Sequence, residues 1–260
     1  DVYKRQVRPC ATPPVLVVAA VSPVLVERCR VCSGGTDAEH DADAAAYHDQ
    51  TMSLTSYRIV RPGADRLLFL LHGWSAEQHH LAAYVPLVDP DERFTAICPR
   101  GPLDLLGSDG ASWYDRTPEG PVADSFLAVL DVVESFVAAE AAAAGVPLDR
   151  CVLGGFSQGG FLSLALAGRP NAPRYGGVWV MCCGLPVVDG LELDFAPGAG
   201  LPALVQVGEH DPIISPDAGR SAAKTLTQAG WRVRVEGYEM AHSQTIEMMV
   251  DARDWLTSTR

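Results

Sequence analysis

The chain has 260 residues, 48% of them hydrophobic and 20% charged, which is the composition of an ordinary globular protein with room for one sizeable core. Its formal net charge of −12 argues against nucleic acid and anionic membranes as partners, since both attract basic surfaces. No apolar run approaches the roughly 20 residues of a membrane-spanning helix, so no membrane insertion is expected.

Residues 1–51 do not read as a domain. The run at 15–26 is apolar but is interrupted by Pro23, and the stretch at 40–48 is acidic and Ala-rich. Lys4, Arg5 and Arg8 ahead of the apolar run have the look of a secretory leader without a clear cleavage site. Cys29-x-x-Cys32 with His40 and His48 could ligate zinc, but a lone Cys pair is a weak signal. The expectation is a disordered or non-native extension over 1–51 and a functional domain over 52–260, beginning at Met52.

A strand is expected at 54–60, closed by Pro62-Gly63. The continuous apolar run at 67–71 reads as a strand buried on both faces of a mostly parallel sheet. It runs into His72-Gly73-Trp74-Ser75, the place where a strand–loop–helix fold keeps a backbone N–H for a developing oxyanion; Trp74 would supply it. His72 reads as a brace for that loop, and His79 and His80 as solvated helix residues. After a strand at 94–98, Pro99-Arg100-Gly101-Pro102 stops regular structure. The long loop at 103–121 carries Trp113-Tyr114-Asp115, and an aromatic pair there either walls a substrate pocket or plugs the loop onto the core. Residues 122–144 form a long helix with one apolar face, ended by Gly145.

The stretch 151–167, CVLGGFSQGGFLSLALA, begins as a strand and ends as a helix with almost nothing between. A corner that tight leaves no room for side chains, so glycines flank Ser157, and the serine takes a strained conformation with its hydroxyl exposed. Gly155-Phe156-Ser157-Gln158-Gly159 is the G-x-S-x-G elbow of a nucleophilic serine. A phosphate-binding loop is the competing reading, but the Lys-Ser/Thr ending is missing. The Gln158 N–H, next to the serine, would be the other oxyanion donor.

A serine hydroxyl needs a base, and the base needs an orienting carboxylate, in the chain order Ser, acid, His. A buried strand is expected at 177–183 and another at 201–207, the latter ending in Gly208-Glu209-His210-Asp211-Pro212. Asp211, held by the following proline, is the better acid and Glu209 its rival. A helix follows from Ser215 to Gly230, then an alternating strand at 232–238, then Ala241-His242-Ser243 before a closing helix at 244–256. His242 is the sole histidine after Asp211 and so the base. The seven cysteines are an odd number, and Cys98, Cys151, Cys182 and Cys183 lie in strand-like runs, so buried reduced thiols and a cytoplasmic location are expected.

These residues carry a resemblance. GGFSQGG with LHGW, PRGP, WYD, GEHDPI and EMAHS is similar to the phospholipase/carboxylesterase family of α/β-hydrolases, which includes acyl-protein thioesterases, from about residue 54 to the C-terminus. One departure stands out: the family's first loop often has a glycine where this chain has Ser75. The resemblance implies a compact α/β fold, a mostly parallel sheet with helices on both faces and no large lid domain. It also implies Ser157 as nucleophile, Asp211 as orienter and His242 as base, with Trp74 and Gln158 as oxyanion donors. The expected activity is hydrolysis of small-molecule carboxylic esters or thioesters with short to medium acyl chains, without metal or cofactor. Trp113, Tyr114 and Leu185 are the pocket candidates, and a homodimer is compatible with all of this. A non-catalytic binding protein or a peptidase on the same fold are the alternatives.

Overall fold

Side chains alternate across a strand, and that alternation sets the layering here. In the computed structural model, which describes residues 20–22 and 54–259, the elements run as follows. Strands β1 (Ala20–Ser22), β2 (Leu54–Ile59) and β3 (Arg66–Leu71) are followed by short helices α1 (Gln78–Ala82) and α2 (Val85–Val88) and by β4 (Phe94–Pro99). Two small ladders come next, β5 (Leu103–Asp104) with β6 (Ala111–Ser112) and β7 (Arg116–Thr117) with β8 (Gly120–Pro121). The rest is α3 (Ala123–Ala144), β9 (Cys151–Phe156), α4 (Gln158–Gly168), β10 (Gly177–Met181), β11 (Pro202–Gly208), α5 (Pro216–Gln228), β12 (Arg232–Tyr238) and α6 (Ile246–Ser258).

The main sheet has the order β1-β2-β4-β3-β9-β10-β11-β12. From β4 to β12 every neighbouring pair is parallel, and β1 and β2 are antiparallel additions at one edge. Leu67, Phe69 and Leu71 of β3 face one apolar layer with α3, α4 and α5, while Leu68 and Leu70 face the other with α1, α2 and α6. β9, β10 and β11 divide in the same way, so both faces are covered and the strands read as continuous apolar runs. Gln206, a fully buried polar residue in mid-sheet, is satisfied: it accepts from Trp179 Nε1 at 2.6 Å and donates to Tyr238 Oη at 2.7 Å and the Met248 carbonyl at 2.9 Å.

Helix ends follow their local chemistry. Gly145 ends α3 at φ +65°, Ser215 Oγ accepts from Asp217 N at 3.3 Å to start α5, and Thr245 Oγ1 accepts from Met248 N at 3.3 Å to start α6. α6 therefore begins two residues later than the apolar pattern suggested, at its cap. The loop at 103–121 is less irregular than expected, because Ala111 pairs with Ala76 and draws a hairpin against the segment after β3. The expectations for residues 1–51, including the Cys29/Cys32/His40/His48 set, fall outside the described residues except at Ala20–Ser22, which pairs with Leu54–Ser56.

Because β3, β4, β9, β10, β11 and β12 run in one direction, the segments that follow them emerge at one edge of the sheet. Ser157, the residues after Leu71, the 103–121 loop, Cys182, Asp211 and His242 are all delivered there.

Candidate active site

Ser157 joins β9 to α4 at φ +51° and ψ −115°, outside the ordinary regions for a side-chain-bearing residue. Such a conformation costs of order 1–3 kcal/mol and persists only where surroundings enforce it. Here the enforcement is close contact: a Cβ on Gly155 would lie 2.3 Å from the Gly159 carbonyl, and one on Gly159 would lie 2.1 Å from the Leu71 carbonyl oxygen. The corner is tied down by Ser157 N donating to the Met181 carbonyl and by the Ser157 carbonyl accepting from Phe161 N, both at 3.0 Å.

Ser157 Oγ lies 2.9 Å from His242 Nε2, and His242 Nδ1 lies 2.6 Å from Asp211 Oδ2. The Asp211 side chain is fully buried, and its other oxygen accepts from the N–H groups of Ile213 and Ile214 at 2.8 and 2.9 Å. Those two bonds, made possible by the turn at Pro212, satisfy the carboxylate while leaving Oδ2 for the imidazole. Glu209 is engaged elsewhere, with Arg220. Phe156 packs on the His242 ring at 4.8 Å between centroids, so the residue before the serine also steadies the histidine.

The N–H of Gln158, next to Ser157, and that of Trp74, next to Gly73 where the chain packs against Phe156, make no other hydrogen bond among the described residues. His72 is buried, and burial pushes its pKa down to about 4, so the ring is neutral. Its Nε2 accepts from Gly101 N at 2.9 Å, which leaves Nδ1 as the donor to the Gly73 carbonyl at 2.7 Å. His79 is exposed and pairs with Glu77, as expected of a surface residue, but His80 is half-buried.

The aromatic pair turns inward. Trp113 is 0% exposed and Tyr114 4%, so neither offers a face to a substrate, in contrast to the pocket-wall expectation. The cause is visible in the bonding: Trp113 Nε1 donates to the His72 carbonyl at 2.8 Å with its ring over the imidazole, and Tyr114 packs on Phe126. Leu185 is partly buried against the core, and Trp74, Leu106, Val187 and Ile213 are the large apolar side chains exposed on loops at this edge.

Cys182 was not singled out for the site, yet its Sγ, an Asp211 oxygen and a His242 nitrogen lie within 4.8 Å of one another. The donor types are those of a metal centre, but Asp211 and His242 are committed to each other. Burial, then the Asp211 charge, pushes the thiol up to about 12, so it stays protonated. The other feature that sequence reading missed is the side chain of Gln158. Its Oε1 accepts from Trp113 N at 3.1 Å, and its Nε2 donates to Ser112 Oγ at 3.1 Å and lies 3.4 Å from the Tyr114 carbonyl, which takes the Ser112 hydroxyl proton at 2.8 Å. A long amide where only a backbone N–H was called for was the available signal.

A serine at a strand–helix elbow, bonded through histidine to a buried aspartate at the carboxyl edge of a parallel sheet with helices on both faces, defines an α/β-hydrolase. Its family follows from comparison. The profile of the Phospholipase/Carboxylesterase family matches residues 58–260, and the chain belongs to that family of ester-bond hydrolases. It is 25% identical over 221 residues to "Acyl-protein thioesterase 1" of Candida albicans, covering 77% of this chain and 95% of that one. Among solved structures it resembles the carboxylesterase of Bacillus cereus (TM-score 0.70, 19% identity, 80% of this chain and 95% of that one) and that of Mesorhizobium loti (TM-score 0.67, 23% identity, 79% and 95%). No helix among the described residues is long and apolar enough to cross a membrane.

Proposed function

We propose that the protein hydrolyses small carboxylic esters or thioesters of short to medium acyl length through Ser157, His242 and Asp211. The observation that carries this is the continuous bond chain from Ser157 Oγ to His242 Nε2 and from His242 Nδ1 to Asp211 Oδ2, at 2.9 and 2.6 Å. Asp211, as an ionised acceptor, keeps the proton on Nδ1, which turns the Nε2 lone pair toward the serine hydroxyl. Ser157 Oγ bonds to the acyl carbon as its proton passes to His242, and the carbonyl oxygen becomes an oxyanion between the N–H groups of Trp74 and Gln158. Collapse breaks the bond to the alkoxide or thiolate, which takes the proton from His242. Water then repeats the sequence on the acyl-enzyme and releases the carboxylic acid.

The short-to-medium preference rests on the walls. With Trp113 and Tyr114 turned inward, the loops at this edge offer scattered apolar side chains such as Trp74, Leu185 and Ile213. Each methylene that still fits adds at most about 0.8 kcal/mol, so selectivity should rise and then fall along an acyl series. The four free, buried cysteines 98, 151, 182 and 183 fit a reducing, cytoplasmic setting.

The test compares Ser157→Ala with Cys182→Ala on p-nitrophenyl esters and a fluorophosphonate probe. Ser157→Ala should lose labelling and at least about 10⁴-fold in turnover, and Cys182→Ala should keep both to within a small factor. The reverse pattern would make the thiol the nucleophile; a wild-type chain that neither labels nor turns over would leave a binding protein on this fold.

A further inference from the structure

The Trp74 N–H belongs to the same planar peptide unit as the Gly73 carbonyl, so whatever grips that oxygen also aims that hydrogen. The Gly73 oxygen accepts from His72 Nδ1 at 2.7 Å and from Ala76 N at 3.3 Å. His72 is in turn held from three sides. Gly101 N donates to its Nε2 at 2.9 Å, the Trp113 ring lies over it with 5.0 Å between centroids, and Trp113 Nε1 donates to its carbonyl at 2.8 Å. Trp113 is itself fixed from the far side of the serine: its backbone N–H donates to Gln158 Oε1 at 3.1 Å, and the neighbouring Ser112 Oγ accepts from Gln158 Nε2 at 3.1 Å. The chain of contacts thus starts at the residue carrying one oxyanion donor and ends at the peptide carrying the other.

We propose that Gln158, through its side chain, and Trp113 and His72, through theirs, are positioning residues that fix the distance between the two oxyanion donors. This rests on the hydrolase reading above, and it adds a role for three side chains that touch no reacting atom. All three are buried, so the circuit lies out of water, where a hydrogen bond holds its geometry most firmly. The donors at its two ends come from segments more than eighty residues apart, after β3 and after β9, and β3 and β9 pair only up to Leu71 and Gly155. Beyond that last rung no ladder sets their spacing, and the buried circuit does.

Two substitutions each cut one link and keep bulk. Trp113→Phe removes the indole N–H and keeps a ring over His72; Gln158→Met removes both amide functions and keeps the backbone N–H at 158. Turnover and KM for a p-nitrophenyl ester, the inhibition constant of a trifluoromethyl ketone that forms an oxyanion on the serine, and the melting temperature are measured for each and for the pair. The expected result is a fall in kcat of about 10-fold or more, within the roughly 10²–10³-fold ceiling for losing one donor, with KM nearly unchanged. Ketone affinity should fall by the same factor as kcat, and the double variant should be little worse than either single one, because both cut one circuit. Ser112→Ala, which removes the hydroxyl that accepts from Gln158 Nε2 and donates to the Tyr114 carbonyl but leaves the Trp113 N–H on Gln158 Oε1, is the milder variant if either of these fails to fold, and should show the same split at smaller size.

Unchanged kcat in the folded variants, a loss that appears in KM instead, or losses that multiply in the double variant would each overturn the proposal. Fluorophosphonate labelling of the wild type separates this from failure of the hydrolase reading. A protein that labels and turns over but ignores Trp113→Phe and Gln158→Met keeps its mechanism and loses only the circuit.

Discussion

The two segments that present N–H groups at the Ser157 corner are held by opposite means. The elbow is local: Ser157, its flanking glycines and the first turn of α4 are consecutive in the chain, and the peptide that carries the Gln158 N–H is gripped by Phe161 N, four residues on from Ser157. The segment after β3 is held from a distance. Its Gly73 carbonyl answers to His72, and His72 answers to Gly101 and Trp113, from the loops that follow β4. A strained local corner needs side chains to be absent, whereas a remotely held loop needs particular side chains to be present. The two should therefore fail differently under mutation.

The largest effect should come from filling the elbow. A Cβ at Gly159 would lie 2.1 Å from the Leu71 carbonyl oxygen, with backbone on both sides unable to yield, so Gly159→Ala should destabilise by several kcal/mol or prevent folding. Denaturant melts check this; a variant with wild-type stability would show that strand and helix separate more easily than the packing implies.

The remotely held loop should fail with pH. The unfolded chain takes up a proton on the His72 imidazole below about 6.5, and the folded chain not until about 4. The unfolded state thus binds more protons in that window, and stability present above pH 6.5 is lost as the pH falls toward 4, by up to about 3 kcal/mol from this residue. Melting temperatures of the wild type and of His72→Gln across pH 4 to 7 test it: the variant should show a shallower acid slope, and parallel slopes would remove His72 as the cause.

A smaller test lies in the same loop. Ser75 sits at φ +62°, the left-handed region that glycine occupies freely, and its carbonyl is closely approached by Gly110. Ser75→Gly relieves about 1–2 kcal/mol of backbone strain and adds about 0.5–1 kcal/mol of unfolded-state entropy, so a net gain of up to about 1.5 kcal/mol is expected, read as a raised melting temperature with activity kept. A loss of stability would mean that the serine side chain makes up for its strain. Outside both regions, we expect a chain starting at Met52 to fold and hydrolyse esters with a stability change of no more than about 1 kcal/mol. A larger loss would show that the pairing of Ala20–Ser22 on β2 matters to the domain.

Much was legible because it was local. The apolar runs of β3, β9, β10 and β11 announced strands buried on both faces, Ser157 among its glycines announced the elbow, and Asp211 before Pro212 and the late His242 followed in chain order. Each of these depends on a few neighbouring residues or on spacing along the chain, which sequence records directly. The fates of Trp113 and Tyr114 were not legible. An aromatic pair on a polar loop can face a pocket or the core, and the choice turned on whether His72, 41 residues before Trp113 in the chain, offered a carbonyl and a ring face within reach. The contacts of the Gln158 side chain and the approach of Cys182 to Asp211 and His242 were hidden for the same reason. A hydrogen bond forms between groups about 3 Å apart in space, and for residues distant along the chain that separation exists only once parallel strands have delivered their ends to one edge.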